Sequence, residues 1–346
     1  MYRHWRLRVY HPVGDADIEV PPDVLVALRA AGAELVPVTT AQRASSVLQL
    51  GRTWRFLVAV DPSVDRYIVR DADAPLTSRE EAAVAEWAAS GAPFHSMRDH
   101  PVHTQYALEW NQPLMAGMWG GVRGALGDEF AVALSRSPDV AAAVRADGDY
   151  LADQIFLAAH VWPAALRTGV FVHDSHACDD PATGAQPFPT RRIGDEHVGH
   201  VVLASGAWRF DDVRPLRHAA AAAARCEPEG DEQGRALQAA VDRYGVAVHI
   251  ASPEDGVVVS GPRVPLEYHI HLGSTSPEGI KDWGLCWDTG ARPTCVRLDG
   301  PEEMPALVFT RCDERAVSVW LEDGDGAAVG PRARAVVRFG GAWCPE

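Results

Sequence analysis

The sequence predicts a mixed α/β domain, a sheet flanked by helices, followed by a β-rich, sandwich-like domain. Trp5 to Tyr10 alternates apolar and polar residues, a helical stretch follows, and Leu35-Val36-Pro37-Val38 reads as the next strand, which together make a β-α-β unit. A second apolar run, Tyr67-Ile68-Val69, stops at Arg70-Asp71-Ala72-Asp73 ahead of a helix, the layout that places ligands beyond the carboxyl ends of strands in open α/β sheets. From Val246 onward the pattern becomes about eight short alternating runs, the signature of a sandwich or small barrel.

Taken in order, Pro21-Pro22-Asp23 opens a helix through Val24, Leu25, Leu28 and Ala31 that Gly32 ends. A second helix is expected from Ala41 through Trp54. Thr77-Ser78-Arg79-Glu80-Glu81 carries a capping box, Ser78 with Glu81, and Val84, Trp87 and Ala88 give the following helix one apolar face up to Gly91. Phe94-His95-Ser96-Met97 is the next strand and leads into Arg98-Asp99-His100-Pro101-Val102-His103. Gly117, Gly120, Gly121 and Gly124 surround Met118-Trp119, a composition that fits either close backbone approach to a ligand or a bulged strand and tight turn. Helices are expected over 128–135, 138–145 and 150–162, the last with Leu151, Ile155, Ala159 and Trp162 on one stripe and Pro163 closing it. Val170-Phe171-Val172 then delivers His173-Asp174-Ser175-His176 to a strand end. Residues 206–235 read as a linker with a helix on either side, which divides the chain into 1–205 and 236–346. Strands are expected at 246–250, 257–260, 266–272, 284–287, 294–298, 306–310, 316–321 and 333–339.

With 47% apolar and 23% charged residues, the 346-residue chain has the composition of a packed protein rather than a disordered one. A formal charge of −15 excludes a general nucleic-acid or anionic-membrane binder, so an anionic ligand must be met by a metal, local arginines or a helix N-terminus. No 18-residue apolar run or signal peptide is evident, which predicts a cytoplasmic protein without a transmembrane segment. The six cysteines show no CxxC spacing and read as reduced thiols rather than a disulfide framework.

Asp-x-Asp occurs four times, and context separates the copies. Asp15/Asp17 follow Gly14 in a polar turn, Asp147/Asp149 flank Gly148 before a helix, and Asp323/Asp325 lie in a hairpin-type loop. Asp71/Asp73 close a strand-like run, and in an extended backbone residues i and i+2 point the same way. Two hard oxygen ligands there suit Mg²⁺ or Mn²⁺ carrying a diphosphate.

Residues from about 50 to 200 carry Trp54-Arg55-Phe56, Arg70-Asp71-Ala72-Asp73, Ala83-Val84-Ala85-Glu86-Trp87, Met97-Arg98-Asp99-His100-Pro101 with His103, Gly117-Met118-Trp119-Gly120, Asp153-Gln154-Ile155-Phe156-Leu157 and His173-Asp174-Ser175. In this order the blocks resemble a glycosyltransferase family of bacteria and large DNA viruses with a GT-A-type fold. They are also distantly similar to the glycogenin-like and lipopolysaccharide-galactosyltransferase family. The resemblance implies a metal-dependent transfer of sugar from a nucleotide-sugar donor to a glycan or small-molecule acceptor. It implies that Asp71 and Asp73 hold a divalent cation, Mn²⁺ or Mg²⁺, with His173 or His176 as a further ligand. Asp153 and Gln154 would stand beside the transferred sugar as the catalytic pair. Arg70, Arg98, Asp99, His100, Gly117 and Trp119 would contribute to substrate binding. Where the related family has Lys-Pro-Trp, this chain has Gln186-Pro187-Phe188, so Arg191 or Arg192 would have to supply the cation. The family also has a strand and helix before the region of Trp5–Arg8, for which a chain starting at Met1 has no room. Residues after about 235 lie outside the resemblance.

Two other classes compete. A GT-A scaffold without its nucleotide half would be a non-catalytic carbohydrate-binding or interaction protein. Alternatively, the 14 histidines, among them His95/His100/His103, His173/His176 and His197/His200, could build a metal-dependent hydrolase, although none shows the i, i+4 helical pair of zincins. His269 and His271 alternate on one strand face and read as structural. Arg98 and Asp99 fit a buried ion pair as well as substrate binding. Trp119 fits a core residue as well as a sugar platform, and Trp283, Trp287, Trp320 and Trp343 fit a core as well as a carbohydrate face.

Overall fold

The computed structural model describes residues 5–14, 20–44, 47–109, 113–137, 140, 151–201, 215–216, 218–219, 223–244, 246–253, 257–259, 263–272, 284–289, 293–297, 306–308 and 315–339. Asp15/Asp17, Asp147/Asp149, almost all of the helix expected over 138–145, Trp283 and Trp343 lie outside the described residues. The chain is mixed α/β and divides into two compact units. The first comprises Met1–Ala72, Glu81–Phe188 and Ala221–Cys226, and the second Asp73–Glu80, Pro189–Ala220 and Glu227–Glu346. Among the described residues no helix is long and apolar enough to cross a membrane.

The first unit opens with the expected β-α-β unit. Strand β1 (Arg8–Val13) and strand β2 (Glu34–Thr39) run parallel, joined by helix α1 (Pro22–Ala30), which starts on the predicted proline. The long second helix does not form. Thr39 caps a four-residue helix, α2 (Thr40–Arg43), in a box with Gln42, and the chain resumes as a 3-10 stretch over Gly51–Val60. That stretch still buries Trp54 and Phe56, so the apolar residues reach the core by a tighter path.

Four further strands build the main sheet: β3 (Arg66–Arg70), β4 (Phe94–Arg98), β5 (Met118–Val122) and β6 (Val170–Asp174), in the order β3-β5-β4-β6. β5 is antiparallel to β3 and β4, and β4 is parallel to β6. The carboxyl ends of β3, β4 and β6 therefore share one edge of the sheet with the start of β5. Tyr67, Val69, Phe94 and Trp119 face a core shared with Phe56 and Phe156. Helix α3 (Ser78–Ser90) supplies buried Trp87, whose ring packs over Gly120, 3.0 Å from where a β-carbon there would be. Its cap is one residue earlier than expected: the Glu80 N–H donates to Thr77 Oγ1 at 3.1 Å. Two α-helical segments follow β4 and β5, α4 (Pro101–Glu109) and α5 (Glu129–Ser135).

Pro163 does not close the helix that begins at Leu151. Helix α6 (Ala152–Phe156) passes through a π-helical turn, Leu157–Val161, into α7 (Trp162–Thr168), with Pro163 near the start of the last segment. Proline lacks the N–H for the i−4 bond, and a widened turn absorbs that loss without ending the helix.

In the second unit, helix α8 (Glu232–Tyr244) precedes strands β7 (Val246–Ser252), β8 (Val257–Val259), β9 (Arg263–Pro265), β10 (Glu267–Leu272), β11 (Gly284–Asp288), β12 (Thr294–Arg297), β13 (Ala306–Val308), β14 (Arg315–Glu322) and β15 (Ala328–Phe339). They form a five-stranded sheet, β12-β11-β14-β15-β8, and the pairs β10-β7 and β13-β9. Trp287 and Trp320 are buried rather than displayed as a carbohydrate face.

The reading of the cysteines as reduced thiols is corrected. Cys178 is bonded to Cys226, and Cys286 to Cys295. Cys286 and Cys295 are directly opposed in the β11-β12 register. A pairing set by strand register, or by contacts between segments 48 residues apart, leaves no local sequence mark. The thiols therefore give no argument for a reducing compartment.

Candidate active site at the carboxyl edge of the main sheet

At the end of β3 the polypeptide turns at once, so Asp71 and Asp73 do not share an extended backbone. Asp73 is exposed in the turn and opens the segment Asp73–Glu80 of the second unit, whereas Asp71 belongs to the first. The partner of Asp71 is Arg55, on the 3-10 stretch. Arg55 Nη1 lies 2.8 Å from Asp71 Oδ1 and 3.7 Å from Asp153 Oδ2 on α6. Two carboxylates from separate elements thus converge on one guanidinium nitrogen.

The two carboxylates differ in environment. Asp71 keeps 44% of its side chain exposed and Asp153 only 9%. Burial pushes the Asp153 carboxyl above the ordinary carboxylate range, opposed by the nearby charge of Arg55 and a hydrogen bond from the Gln154 N–H, and reinforced by the charge of Asp71. The charge of Arg52 opposes the rise as well, so Arg55 is the larger of two positive charges that favour the ionised form.

Gly117 and Gln154 complete the arrangement. A β-carbon on Gly117 would fall 2.1 Å from Asp71 Oδ2, so only glycine leaves room for this carboxylate. Arg70 Nη1 donates to the Gly117 carbonyl at 2.9 Å, which fixes the peptide beneath Asp71. Gln154 accepts from the Ala116 N–H at 2.6 Å and donates to the Leu114 carbonyl at 3.1 Å, closing two backbone groups ahead of β5. Gly120 and Gly121 serve packing: a β-carbon on Gly120 would meet the Tyr67 carbonyl and the Trp87 ring, and one on Gly121 the Tyr67 hydroxyl. Asp71, Asp153, Gln154, Gly117 and Arg70 are thus assembled as one group. Arg55 completes it, and only the Trp54-Arg55-Phe56 block signalled its presence.

Other expected site residues sit elsewhere. Trp119 is fully buried, its ring edge-on to Tyr67 at 5.5 Å, so it is a core residue and not a sugar platform. Arg98 is buried in an ion pair with Asp174 at 2.8 Å rather than with Asp99. Asp174 also accepts hydrogen bonds from the Thr104 hydroxyl and from the His176 and Ala177 N–H groups. Asp99 and His100 are buried too, and His100 Nδ1 accepts from the Val102 N–H at the start of α4. These groups hold the β4 and β6 ends together, and their burial removes them from a substrate-facing surface. Arg191 lies in the second unit, where its N–H donates to Asp231. Arg192 donates its N–H to Glu227. Gln186 continues the sheet edge beside His173 through backbone hydrogen bonds with Val172 and Asp174, and Phe188 is fully buried.

His173 is not placed with Asp71. It lies on β6, three strand spacings from β3, about 14 Å of sheet at ~4.8 Å per step. Both of its ring nitrogens are engaged: Nδ1 is 2.8 Å from His95 Nε2, and Nε2 is 3.0 Å from Glu86 Oε2. With His173 donating to Glu86, His95 must donate to His173, so both rings carry their proton on Nε2. His95 Nδ1 is then a buried acceptor with no partner, and Trp87 stacks on the ring at 5.1 Å. Burial holds the His95 imidazole far below its ordinary range, and the neighbouring His173 adds to this.

Among the described residues, three ligand atoms fit for a metal come together only at Cys286, Cys295 and Glu322, where the two sulfurs are joined as a disulfide. The histidine loops therefore do not assemble a hydrolase-type metal cluster there. In the second unit His271 Nδ1 contacts Glu196 at 3.0 Å, a carboxylate partner that the β10 sequence did not reveal.

No protein-family model and no curated protein matches the chain. Among solved structures, a protein from Corynebacterium diphtheriae described as membrane anchored aligns at 15% identity over 27% of this chain and 20% of its own, with a TM-score of 0.19. An engineered protein aligns at 14% identity over 54% of this chain and 35% of its own, with a TM-score of 0.20. The chain thus spans a minor part of both, and likenesses this low assign no fold.

Proposed function

We propose that the chain is a metal-dependent glycosyltransferase, with a GT-A-type first domain that moves a sugar from a nucleotide-sugar donor to a glycan or small-molecule acceptor. The observation that supports this reading most is the convergence of Asp71 and Asp153 on one cationic centre above Gly117. Two carboxylate oxygens, one open to solvent, match the hard-oxygen preference of Mn²⁺ or Mg²⁺, and the pair already holds a positive charge. A divalent cation bound there would neutralise the charge that grows on a departing diphosphate. Asp71, the exposed member, would meet the metal and the donor phosphates. Asp153 and Gln154, fixed by α6, would stand on the inner side, toward the transferred sugar. Gly117 leaves the space that the Asp71 carboxylate needs to stand at the site. This assignment gives the metal to Asp71 and Asp153 and requires neither Asp73 nor His173.

Calorimetric titration with UDP and GDP, with and without Mn²⁺, together with hydrolysis of a panel of sugar nucleotides, tests the reading. Mn²⁺-dependent nucleotide binding that falls at least tenfold in Asp71→Asn is expected. Absence of such binding in the wild type, or its persistence in the variant, refutes the transferase. A carbohydrate-binding protein without transfer is the second reading, favoured by the position of Arg55 against both carboxylates, where a metal would have to sit. It predicts glycan binding that is indifferent to Mn²⁺ and to nucleotide.

A further inference from the structure

The two carboxylates of the site are compensated by an arginine, and that arginine occupies the position a divalent cation needs. Arg55 Nη1 lies between Asp71 Oδ1 and Asp153 Oδ2, so a metal cannot take both oxygens while the guanidinium remains. The arrangement is asymmetric: the contact to Asp71 is a close ion pair at 2.8 Å with a half-exposed partner, and the contact to Asp153 is a looser one at 3.7 Å. Arg55 itself retains 21% exposure, and its neighbour across the site, Arg70, is held by the Gly117 carbonyl. The Arg55 nitrogen that meets the carboxylates is itself buried, so it is the looser contact to Asp153, and not open space, that marks where a second cation would compete.

We infer that Arg55 is an exchangeable counter-ion: a divalent cation displaces it from Asp71 and Asp153 and frees its guanidinium for the diphosphate that arrives with the metal. This deepens the transferase reading and rests on its choice of site. A divalent cation would compensate the carboxylate pair more completely than the guanidinium does. Without ligand, two carboxylates meet one guanidinium. With ligand, the metal takes the carboxylates, and the planar fork of the arginine, well shaped for two phosphate oxygens, takes the anion. The exchange makes metal and anion binding mutually dependent, because each releases the partner that the other requires. It also keeps the metal-free site from holding a buried, uncompensated Asp153 carboxylate.

Titration of the full chain with Mn²⁺ alone, read by the electron paramagnetic resonance of free Mn²⁺, tests the exchange without any turnover. Wild type is expected to bind Mn²⁺ weakly, and Arg55→Gln at least tenfold more tightly, because the competing charge is gone. Arg55→Lys, which keeps a charge, should stay near wild type. A second measurement needs no variant: Mn²⁺ should speed phenylglyoxal modification of Arg55 about tenfold by peptide mapping, and inorganic pyrophosphate added with Mn²⁺ should protect it again. Equal or weaker Mn²⁺ binding in Arg55→Gln, no binding in either protein, or a modification rate indifferent to Mn²⁺ overturns the inference. Failure of every sugar nucleotide to react, with the Mn²⁺ effects intact, removes the transferase reading and leaves the counter-ion exchange standing. Sugar-nucleotide turnover with no effect of Arg55→Gln on Mn²⁺ binding does the reverse.

Discussion

The buried pair His95–His173 makes the first unit acid-sensitive, and the size of the effect follows from the geometry. His95 is fully buried, donates through Nε2 to His173, and leaves Nδ1 a buried acceptor without a hydrogen-bond partner. Protonation would place an N–H and a charge there with no partner, so the folded imidazole stays neutral far below the unfolded value of about 6.5. The folded state is therefore the poorer proton binder. Stability is complete above the unfolded value and is lost as pH falls through it, until the depressed folded value is reached. An imidazole neutral in the folded state and free to titrate in the unfolded one costs about 1.4 kcal/mol per pH unit below 6.5, or about 2 kcal/mol at pH 5 relative to pH 8. Urea unfolding at pH 8, 6.5, 5.5 and 5 measures this, with His95→Gln as reference, since the glutamine amide can still donate to His173 and does not titrate. The wild-type slope should exceed that of the variant by the stated amount. Equal slopes in the two proteins would show that His95 is hydrated or partnered in the folded state, and the burial argument would be wrong.

Two further outcomes follow from contacts of the first unit. Gly117→Ala puts a methyl group onto Asp71 Oδ2, and relief requires Asp71 or the β5 entry to move; a stability loss of about 1–3 kcal/mol is expected, with at least a tenfold loss of Mn²⁺ affinity by titration. Gly120→Ala should destabilise similarly, through the Tyr67 carbonyl on β3 and the Trp87 ring, with a smaller effect on metal affinity than Gly117→Ala, because it does not touch Asp71. The Cys178–Cys226 bond closes a loop of 48-residue separation, so replacing both cysteines by serine should lower stability by about 4 kcal/mol on the chain-entropy scale, read as a drop in the urea midpoint. Thiol titration of the unfolded, unreduced chain should find no more than two of the six cysteines free.

Much of the first unit was legible because its signals are local. Alternation across Tyr67 and Val69, the apolar face of α3 ending at Gly91, and the run Val170–Val172 each define an element without reference to anything distant. Errors arose where two local solutions compete or where a distant partner decides. Thr77 and Ser78 both offer a hydroxyl three residues before a glutamate, and the observed cap uses Thr77. Pro163 is a helix stop by rule, yet a π turn accommodates it. Trp119 carries no mark that separates a platform from a core residue until its cross-strand partner, Val69, is known to face the same core.

The candidate site shows the same division more sharply, and the reason is electrostatic. The spacing of a strand pairs Asp71 with Asp73, but a metal-free cluster of like charges is stable only if something positive holds it. That requirement points to a basic residue rather than a second aspartate, and no fixed spacing supplies one. Arg55 comes from 16 positions before Asp71 and 98 before Asp153, on a stretch whose sequence reads as an ordinary apolar turn of helix. A search for sites built from acidic ligands should therefore ask which guanidinium keeps them folded before the metal arrives, since that group lies closest to the place the metal will take.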